Sequence, residues 1–284
     1  MNVVDQYFYD PNPILIREVW AYNLEYEFHI LRHIIDDYPF ISMDTEFPGF
    51  LYSTNSKASS NTTNGKVEPS QNYGCLKSNV DVLDIIQVGL TLSDANGNLP
   101  HLGTSKKFIW EFNFRDFDVE KDPHSPSSIA LLRRQGIDFS RNAAEGIDSL
   151  LFAELMMSSG LVCNEEVSWV TFHGSYDFGY LVKILTRQSL PHGVKDFLET
   201  LKAFFGDNIY DLKHMIRFFD GLYGGLDRLA ETLKLNRVVG RCHQAGSDSL
   251  LTWHIFEKAT NIYCRNEGPK KYAGVLYGLE LSCS

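Results

Sequence analysis

The chain has 284 residues, of which 44 % are hydrophobic, enough for the core of one large domain or two small ones. Its net charge of −10 argues against a broad electrostatic grip on nucleic acid, although a metal centre could still hold a few nucleotides. The five cysteines are widely spread and form no C-x-x-C pair, which argues against a disulfide framework or a structural zinc site.

The N-terminal segment, residues 1–10, has acidic and polar breaks and no apolar run. We therefore expect no signal peptide and a soluble intracellular protein. No segment approaches the roughly 20 apolar residues that span a bilayer, so no membrane partner is expected.

The first half of the chain predicts a helix and then three strands. Apolar residues recur at helical period over 18–38, and 40–47 has the composition of a strand. Residues 53–71 are rich in Ser, Asn, Thr and Gly, which predicts a mobile surface insertion. The segments 85–92 and 108–114 flank a turn-rich stretch, so we expect an antiparallel pair.

The second half predicts mainly helices. They cover 127–158, with breaks around Gly136 and Gly146. Further along the chain, the predicted strands are 168–172 and 208–212, and the predicted helices are 176–186, 225–235 and 248–263. This order predicts an α/β fold with a mixed sheet flanked by helices on both faces. Without repeats or a convincing linker, we expect a single domain with its core at about 14–263 and a C-terminal tail at 264–284.

Two carboxylates, Asp44 and Glu46, stand two positions apart in the strand 40–47. Side chains alternate along a strand, so both acids point to one face, while Ile41 and Met43 point to the other. Neighbouring buried anions need a positive charge between them. Mg²⁺ or Mn²⁺ with oxygen ligands meets that need, whereas a solvated acidic edge strand is the ordinary alternative for an isolated Asp-x-Glu.

A third acid, Asp177, falls in the first turn of the helix after the fourth strand, with Ser175 as its predicted cap. Phe178 and Leu181 belong to the buried stripe of that helix, which places Asp177 beside the core. The ordinary alternative is a first-turn Asp favoured by the helix dipole. The Asp-Phe-Gly sequence also matches a kinase signature, but the chain has no His-Arg-Asp.

The last acid, Asp248, shares a helical face with Leu251 and Ile255, which a helix would turn inward. An inward acid needs a partner or a metal. His243 lies five residues earlier, in the preceding loop, where its imidazole can take a proton from water. A surface His before a helix cap is the ordinary alternative.

The ordered set Asp44, Glu46, Asp177, His243 and Asp248 resembles that of the DEDDh exonucleases, whose fold is ribonuclease-H-like. The surrounding sequence is more similar still to the Caf/Pop-type poly(A) deadenylases, the nuclease subunits of the carbon catabolite repressor–NOT complex. The segments that carry this resemblance are 14–23, 43–49, 79–81, 85–91, 110–114, 176–181, 209–211 and 243–252.

The residues imply phosphodiester hydrolysis with two divalent cations held by Asp44, Glu46, Asp177 and Asp248, with His243 accepting the proton of the attacking water. The resemblance implies 3′→5′ removal of adenylates from mRNA tails, release of 5′-AMP, and a cytoplasmic and nuclear location. It also implies three partners, which are poly(A) RNA, the NOT scaffold and a second deadenylase subunit.

Two features depart from the family pattern. The pair Gly174-Ser175 stands where the family usually has Ser-Gly, which shifts the permissive backbone position by one residue. The segment 53–71 is also longer and more polar than the family pattern and could alter access to the site. Two other functions stay open, namely an exonuclease acting on DNA or structured RNA, and a catalytically inactive binding module.

A docking patch is predicted around Met157, near the end of a helix that stops at Gly160. Met156 and Met157 lie about 100° apart on a helix, so a narrow core stripe would not bury both. Either both fill a wide core stripe, or Met157 faces outward and contacts a partner. The resemblance implies that this partner is the NOT scaffold.

Overall fold

The computed structural model describes residues 13–53, 68–265 and 267–281. Within these residues the strands are β1 (Ile14–Val19), β2 (Phe40–Glu46), β3 (Gln87–Ser93), β4 (Lys107–Asn113), β5 (Ser168–Thr171) and β6 (Ile209–Asp211). The helices are α1 (Leu24–Ile34), α2 (Pro69–Val80), α3 (Pro126–Gln135), α4 (Phe139–Glu145), α5 (Ser149–Met157), α6 (Ser175–Thr186), α7 (Val194–Phe205), α8 (Leu212–Met215), α9 (Leu226–Thr232) and α10 (Ala245–Tyr263). Short 3₁₀ turns occupy Ile216–Phe218 and Lys270–Tyr272.

The six strands form one mixed sheet in the order β1-β4-β3-β2-β5-β6. Strand β3 is antiparallel to both of its neighbours, whereas the other pairs are parallel. The antiparallel pair predicted for the second and third strands is confirmed as β3 and β4. Because β2 is hydrogen-bonded on both sides, its side chains have fixed directions along the sheet.

Helices cover both faces of the sheet, as predicted. On one face, α1, α2, α5, α6 and α7 pack over apolar side chains such as Met43 and Trp110. On the other face, α8, α9 and α10 pack over Ile109, Val170 and Tyr210. The N-terminal half of α10 lies directly on β2 and β3. This contact brings the start of α10 to the end of β2 that carries Asp44 and Glu46.

The helix predicted over 18–38 is wrong at its start. Residues up to Val19 form β1, an edge strand that pairs in parallel with β4, and α1 begins only at Leu24. The amide of Trp20 donates to the Asn23 side chain at 2.8 Å, which closes the turn between strand and helix. Apolar and polar residues need not alternate strictly in an edge strand, so the sequence of β1 carries no clear strand pattern. Its pairing with the distant strand β4 makes it a strand.

Other predicted elements are confirmed with small shifts. The helical region over 127–158 divides into α3, α4 and α5, with Gly136 and Gly146 as the C-terminal caps of the first two. Helix α10 begins at Ala245, three residues before the predicted start at 248. Helix α7 was not predicted, although its apolar residues Phe197, Leu201 and Phe205 are buried at helical spacing.

The two predicted peripheral segments require correction. Of the predicted insertion over 53–71, residues 54–67 lie outside the described residues, but 69–71 open α2, where Pro69 suits a first helical position. The tail predicted over 264–284 is part of the packed structure as far as it is described, because Leu276 and Leu279 lie in the main core. Among the described residues, no helix is both long and apolar enough to cross a membrane.

Candidate active site

Strand β2 presents Asp44 and Glu46 toward α10, while Ile41 and Met43 are fully buried on the opposite face. Gly89 stands opposite Asp44 on β3. The backbone of Ala245, in the first turn of α10, occupies the space where a side chain at Gly89 would begin. This glycine therefore allows α10 to approach the sheet closely enough to place an acid of its first turn beside the two strand acids.

The acid from α10 is Asp248. Carboxylate oxygens of Asp44, Glu46 and Asp248 all lie within 4.8 Å of one another. Burial raises the pKa of Asp44 and of Glu46 well above their ordinary values, and the nearby Asp248 charge raises both further. Such a group of oxygens fits Mg²⁺ or Mn²⁺, because a bound cation would relieve the repulsion that these shifts reflect.

Asp177 approaches from the other side of the sheet, in the first turn of α6. It accepts a hydrogen bond from Thr45 Oγ1 at 2.5 Å, and burial raises its pKa to about 7. Its carboxylate does not lie within 4.8 Å of all three other acids, but its charge raises the pKa of Asp44 and Glu46. The structure thus brings the four predicted acids to one end of β2. Three of them converge within 4.8 Å, and the fourth, Asp177, is held by Thr45.

The predicted cap of α6 is wrong. Gly174 is the N-cap, and Ser175 is the first helical residue. The φ angle of Gly174 is −73°, so its place does not depend on the left-handed region. A side chain at Gly174 would instead overlap the side chain of Thr171, the last residue of β5. The Gly174-Ser175 order therefore suits a close approach between the end of β5 and the start of α6.

Two further buried acids hold the helix starts that carry Asp177 and Asp248. Asp211 is fully buried and accepts hydrogen bonds from the amides of His173, at 2.9 Å, and Gly174, at 3.3 Å. Glu111 accepts a hydrogen bond from the amide of Gly246 at 3.0 Å. Burial raises the pKa of Glu111 to about 7. The sequence reasoning assigned neither residue a role, although both lie in segments that carry the family resemblance.

His243 lies in the loop before α10, as predicted, with a left-handed φ of 58°. Its amide donates to Asp248 Oδ2 at 2.8 Å, which fixes the loop against the acid cluster. Its Nδ1 lies 3.9 Å from Glu46 Oε1, and its side chain is 45 % exposed. The imidazole therefore stands beside the carboxylates with access to solvent, where it can exchange a proton with water.

The sequence reasoning missed Arg237, a cation beside the acid cluster. Its Nη1 lies 2.6 Å from Asp248 Oδ1, and its Nη2 lies 2.9 Å from Asp227 Oδ1. Nη1 also donates to Ser247 Oγ at 2.7 Å. The guanidinium thus orients Asp248 and partly offsets the cost of burying that charge. No spacing in the sequence signals this contact, because Arg237 lies in an irregular segment.

Three of the four acids, namely Asp44, Glu46 and Asp248, line a cavity of about 410 Å³. Asp44, Glu46, His243 and Asp248 contribute to its polar part. The rest of the lining includes apolar side chains from the loop after β2, from α3, from the segment after β5 and from the start of α9. The arrangement therefore combines a cation site with space for a small apolar or aromatic group.

Comparisons with known proteins agree with this geometry. The model of the CAF1 family of ribonucleases matches residues 19–154. A probable CCR4-associated factor 1 homolog from Arabidopsis thaliana is 53 % identical over 266 residues, which cover 94 % of this chain and 92 % of the relative. The poly(A) ribonuclease pop2 of Schizosaccharomyces pombe is 40 % identical over 264 residues, which cover 93 % of this chain and 75 % of the relative.

Solved structures extend the comparison. The S. pombe Pop2p structure with Mg²⁺ and Mn²⁺ bound has a TM-score of 0.83 at 40 % identity and covers 93 % of this chain and 99 % of that chain. Yeast CAF1 crystallised with the NOT1 MIF4G domain gives 0.76 at 34 % identity, with 93 % and 96 % covered. Escherichia coli exonuclease I, at 14 % identity and a TM-score of 0.50, covers 80 % of this chain and 41 % of that chain. This last likeness concerns the ribonuclease-H-like fold alone.

Proposed function

Since this chain belongs to the CAF1 family of ribonucleases, we propose that it is a poly(A)-specific 3′→5′ exoribonuclease that shortens mRNA tails and releases 5′-AMP. One observation of the structure carries the proposal. Oxygens of Asp44, Glu46 and Asp248 converge within 4.8 Å at the base of a cavity that also exposes His243. Convergent carboxylates with an adjacent imidazole suit metal-assisted hydrolysis of a phosphodiester.

The acids hold the cations, and Pop2p with Mg²⁺ and Mn²⁺ bound is a precedent for both metals in a related chain. When bound, two divalent cations supply charge that stabilises the attacking and leaving oxygens. Oxygens of Asp44, Glu46 and Asp248 lie within 4.8 Å of one another, and the Asp177 charge raises the pKa of Asp44 and Glu46. Thr45 fixes the Asp177 carboxylate by its hydrogen bond.

The proton of the attacking water passes to His243 in this proposal. The backbone of His243 is anchored to Asp248, so the imidazole stays near the carboxylates while its ring reaches solvent. A half-exposed ring can return its proton to bulk water after each cleavage. This assigns general-base chemistry to His243 and metal binding to the four acids.

Digestion of a labelled RNA with a 3′ A-tail, with Mn²⁺ and with chelator in excess, tests the activity. We expect stepwise shortening from the 3′ end, with 5′-AMP as the product and no cleavage in chelator. Poly(U) and single-stranded DNA are the comparison substrates, and equal rates on all three would overturn the poly(A) assignment. Undetectable Mn²⁺ binding by calorimetry would instead favour an inactive binding module.

We also propose that the chain joins a CCR4–NOT-type complex through the exposed end of α5, alongside a second deadenylase subunit. Met156 is fully buried, whereas Met157 is 45 % exposed, so Met157 faces outward as the second alternative predicted. Leu150 and Leu151 of the same helix are also exposed, at 38 % and 36 %. Yeast CAF1 was crystallised with the NOT1 MIF4G domain, which supports a NOT scaffold as the partner.

Substitution Met157→Arg tests this patch by co-purification with the NOT scaffold. We expect binding to be lost while cleavage of free poly(A) stays unchanged. Ile262→Arg is the matched control, because Ile262 is 44 % exposed on α10. Unimpaired co-purification of the Met157 variant would place the interface elsewhere, and an unfolded variant would show that Met157 supports the core.

A further inference from the structure

The cavity above the acid cluster has an apolar rim that the metal chemistry does not use. Phe47 and Phe50, from the loop after β2, contribute one side of it. Leu131 of α3, Phe172 after β5 and Leu226 of α9 contribute further apolar surface. Carboxylates can hold cations and through them a phosphate, but they offer no apolar surface on which a nucleobase can stack. The rim is therefore the part of the cavity that is suited to a base.

Phe50 is the most exposed aromatic side chain of this rim. It is 54 % exposed, whereas phenylalanine side chains are usually buried in the core. Its ring makes edge contacts with Phe47, at 5.3 Å between centroids, and with Tyr176, at 5.0 Å. Phe47 and Tyr176 are themselves stacked at 5.5 Å. These contacts support the Phe50 ring from one side and leave the rest of it open.

The backbone on the N-terminal side of Phe50 is fixed by Gly49. This residue has a φ of 88°, a conformation that favours glycine, and its amide donates to the Phe47 carbonyl at 2.8 Å. A side chain here would overlap those of Ser125 and Ser128 at the start of α3. The loop therefore turns sharply and packs against α3 just before Phe50.

The backbone on the C-terminal side is fixed by Asn79 of α2, which is fully buried. Its Oδ1 accepts hydrogen bonds from the amides of Leu51, at 2.8 Å, and Tyr52, at 3.0 Å. Its Nδ2 donates to the Tyr52 carbonyl at 2.9 Å. Phe50 is thus held between two anchored segments, so its exposed ring is presented on a preorganised backbone.

We propose that Phe50 is the stacking platform for the base of the 3′-terminal nucleotide, which positions its phosphodiester over Asp44, Glu46 and Asp248. The proposal rests on the proposed function and adds how an acidic chain holds a single-stranded substrate. Stacking on an aromatic ring needs no positive surface and accepts every base. Phe50 therefore contributes affinity for the substrate, and adenine preference must come from other contacts. Phe50 is a substrate-binding residue, because it contacts the base and not the reacting atoms.

Steady-state kinetics of Phe50→Ala on an A-tailed RNA gives the first test. Loss of one stacked base should lower kcat/KM about 10- to 100-fold, mainly through KM. Phe50→Trp should restore most of the rate, because tryptophan also offers an aromatic face. Phe218→Ala is the matched control, because Phe218 is 57 % exposed but does not line the cavity, and it should behave as wild type. Unchanged kinetics of Phe50→Ala would overturn the proposal.

A second substrate separates stacking from general damage to the loop. An RNA whose 3′-terminal nucleotide lacks its base should be cut about 10- to 100-fold more slowly by the wild type. If Phe50 stacks on that base, Phe50→Ala should cut the normal and the abasic RNA at similar rates, because the same contact is already lost. If the rate loss from Phe50→Ala and the rate loss from the missing base multiply when the variant cuts the abasic RNA, Phe50 does not contact the base.

The result is distinguishable from failure of the proposed function. If the wild type cuts another single strand but spares A-tails, the poly(A) assignment fails. The same comparison of Phe50→Ala with wild type, on that strand with and without its terminal base, still tests Phe50. If it cuts nothing, an oligonucleotide ending in 2-aminopurine reports stacking by fluorescence quenching on binding. Quenching by the wild type and not by Phe50→Ala supports the platform, and binding without quenching overturns it.

Discussion

Two acidic regions of this molecule, Glu27 on α1 and the pair Asp44 and Glu46 on β2, differ in what surrounds them. Glu27 on α1 is nearly inaccessible, yet each of its carboxylate oxygens is matched by a donor. Arg17 Nε and Nη2 donate to it at 2.7 and 2.8 Å, and Trp110 Nε1 donates at 3.0 Å. Asp44 and Glu46 are surrounded instead by further carboxylates. Burial of an acid is therefore no sign of function by itself. The sign of function is a cluster of acids that lacks a positive partner.

The difference has an energetic consequence. Glu27 stabilises the fold, because its removal leaves Arg17 and Trp110 without the carboxylate to which they donate. The acids at the end of β2 destabilise the metal-free fold, because burial raises the pKa of Asp44 and Glu46 and their charges repel. Arg237 forms ion pairs with Asp248 and Asp227, and its charge is the weakest of the influences on the pKa of Asp44. Substitutions in the two groups should therefore have opposite effects on stability and activity.

The largest effect is expected for Asp44→Ala. Cleavage of A-tailed RNA should be abolished, since one acid of the cation site is gone. The melting temperature in chelator should be unchanged or higher, because one of four repelling carboxylates has been removed. Differential scanning calorimetry and a nuclease assay measure the two properties. A large drop in melting temperature would mark Asp44 as a structural acid like Glu27.

His243→Ala should be the next largest. A general base typically contributes about 10²–10⁴-fold, so kcat should fall by that factor while Mn²⁺ binding is largely kept. Calorimetric titration with Mn²⁺ separates the two roles. If the variant lost metal affinity as severely as Asp44→Ala, His243 would be a ligand.

Glu27→Ala tests the other side of the comparison. Breaking a buried pair by removing one partner costs about 3–5 kcal/mol, and we expect about 3 kcal/mol because Arg17 is partly exposed, at 22 %. Urea denaturation measures this loss. Activity per folded molecule should be kept, since Glu27 does not line the active-site cavity. Activity lost in a fully folded Glu27 variant would show that the two groups are coupled.

The smallest expected effect is a pH dependence of stability in the metal-free protein. The folded pKa of Asp177 is raised to about 7, so the folded state binds this proton more tightly than the unfolded state. Its contribution is therefore present at acidic pH and is lost as pH rises from about 4 through 7. Melting curves in chelator should show lower stability at pH 8 than at pH 5.5, by about a few degrees.

Two controls sharpen this last prediction. Asp177→Asn should weaken the dependence, because the amide carries no charge at either pH. The rest of the dependence should remain, because the pKa values of Asp44, Glu46 and Glu111 are also raised. Added Mn²⁺ should raise the melting temperature most at pH 8, where the acids are ionised. A metal-free wild type that becomes more stable as pH rises over this range would show that the acids are compensated, as Glu27 is.

The sequence by itself predicted the side chains that the structure brings together at the end of β2, and most of the elements that carry them. Alternation along 40–47 placed Asp44 and Glu46 on one face of β2, and helical spacing placed Asp248 inward on α10. Glycines at 136 and 146 divided the helical region correctly. These features depend on local periodicity and on the backbone freedom of glycine, and residues close together in the sequence determine both.

Tertiary structure alone decided the features that depend on distant partners. The edge strand β1 exists through its pairing with β4, and residues beyond 263 join the core through Leu276 and Leu279. Arg237 reaches Asp248 across a loop, and Asp211 anchors the turn before α6. Hydrogen bonds and ion pairs between segments far apart in sequence leave no periodic signal, so only the folded chain shows which buried acids are compensated.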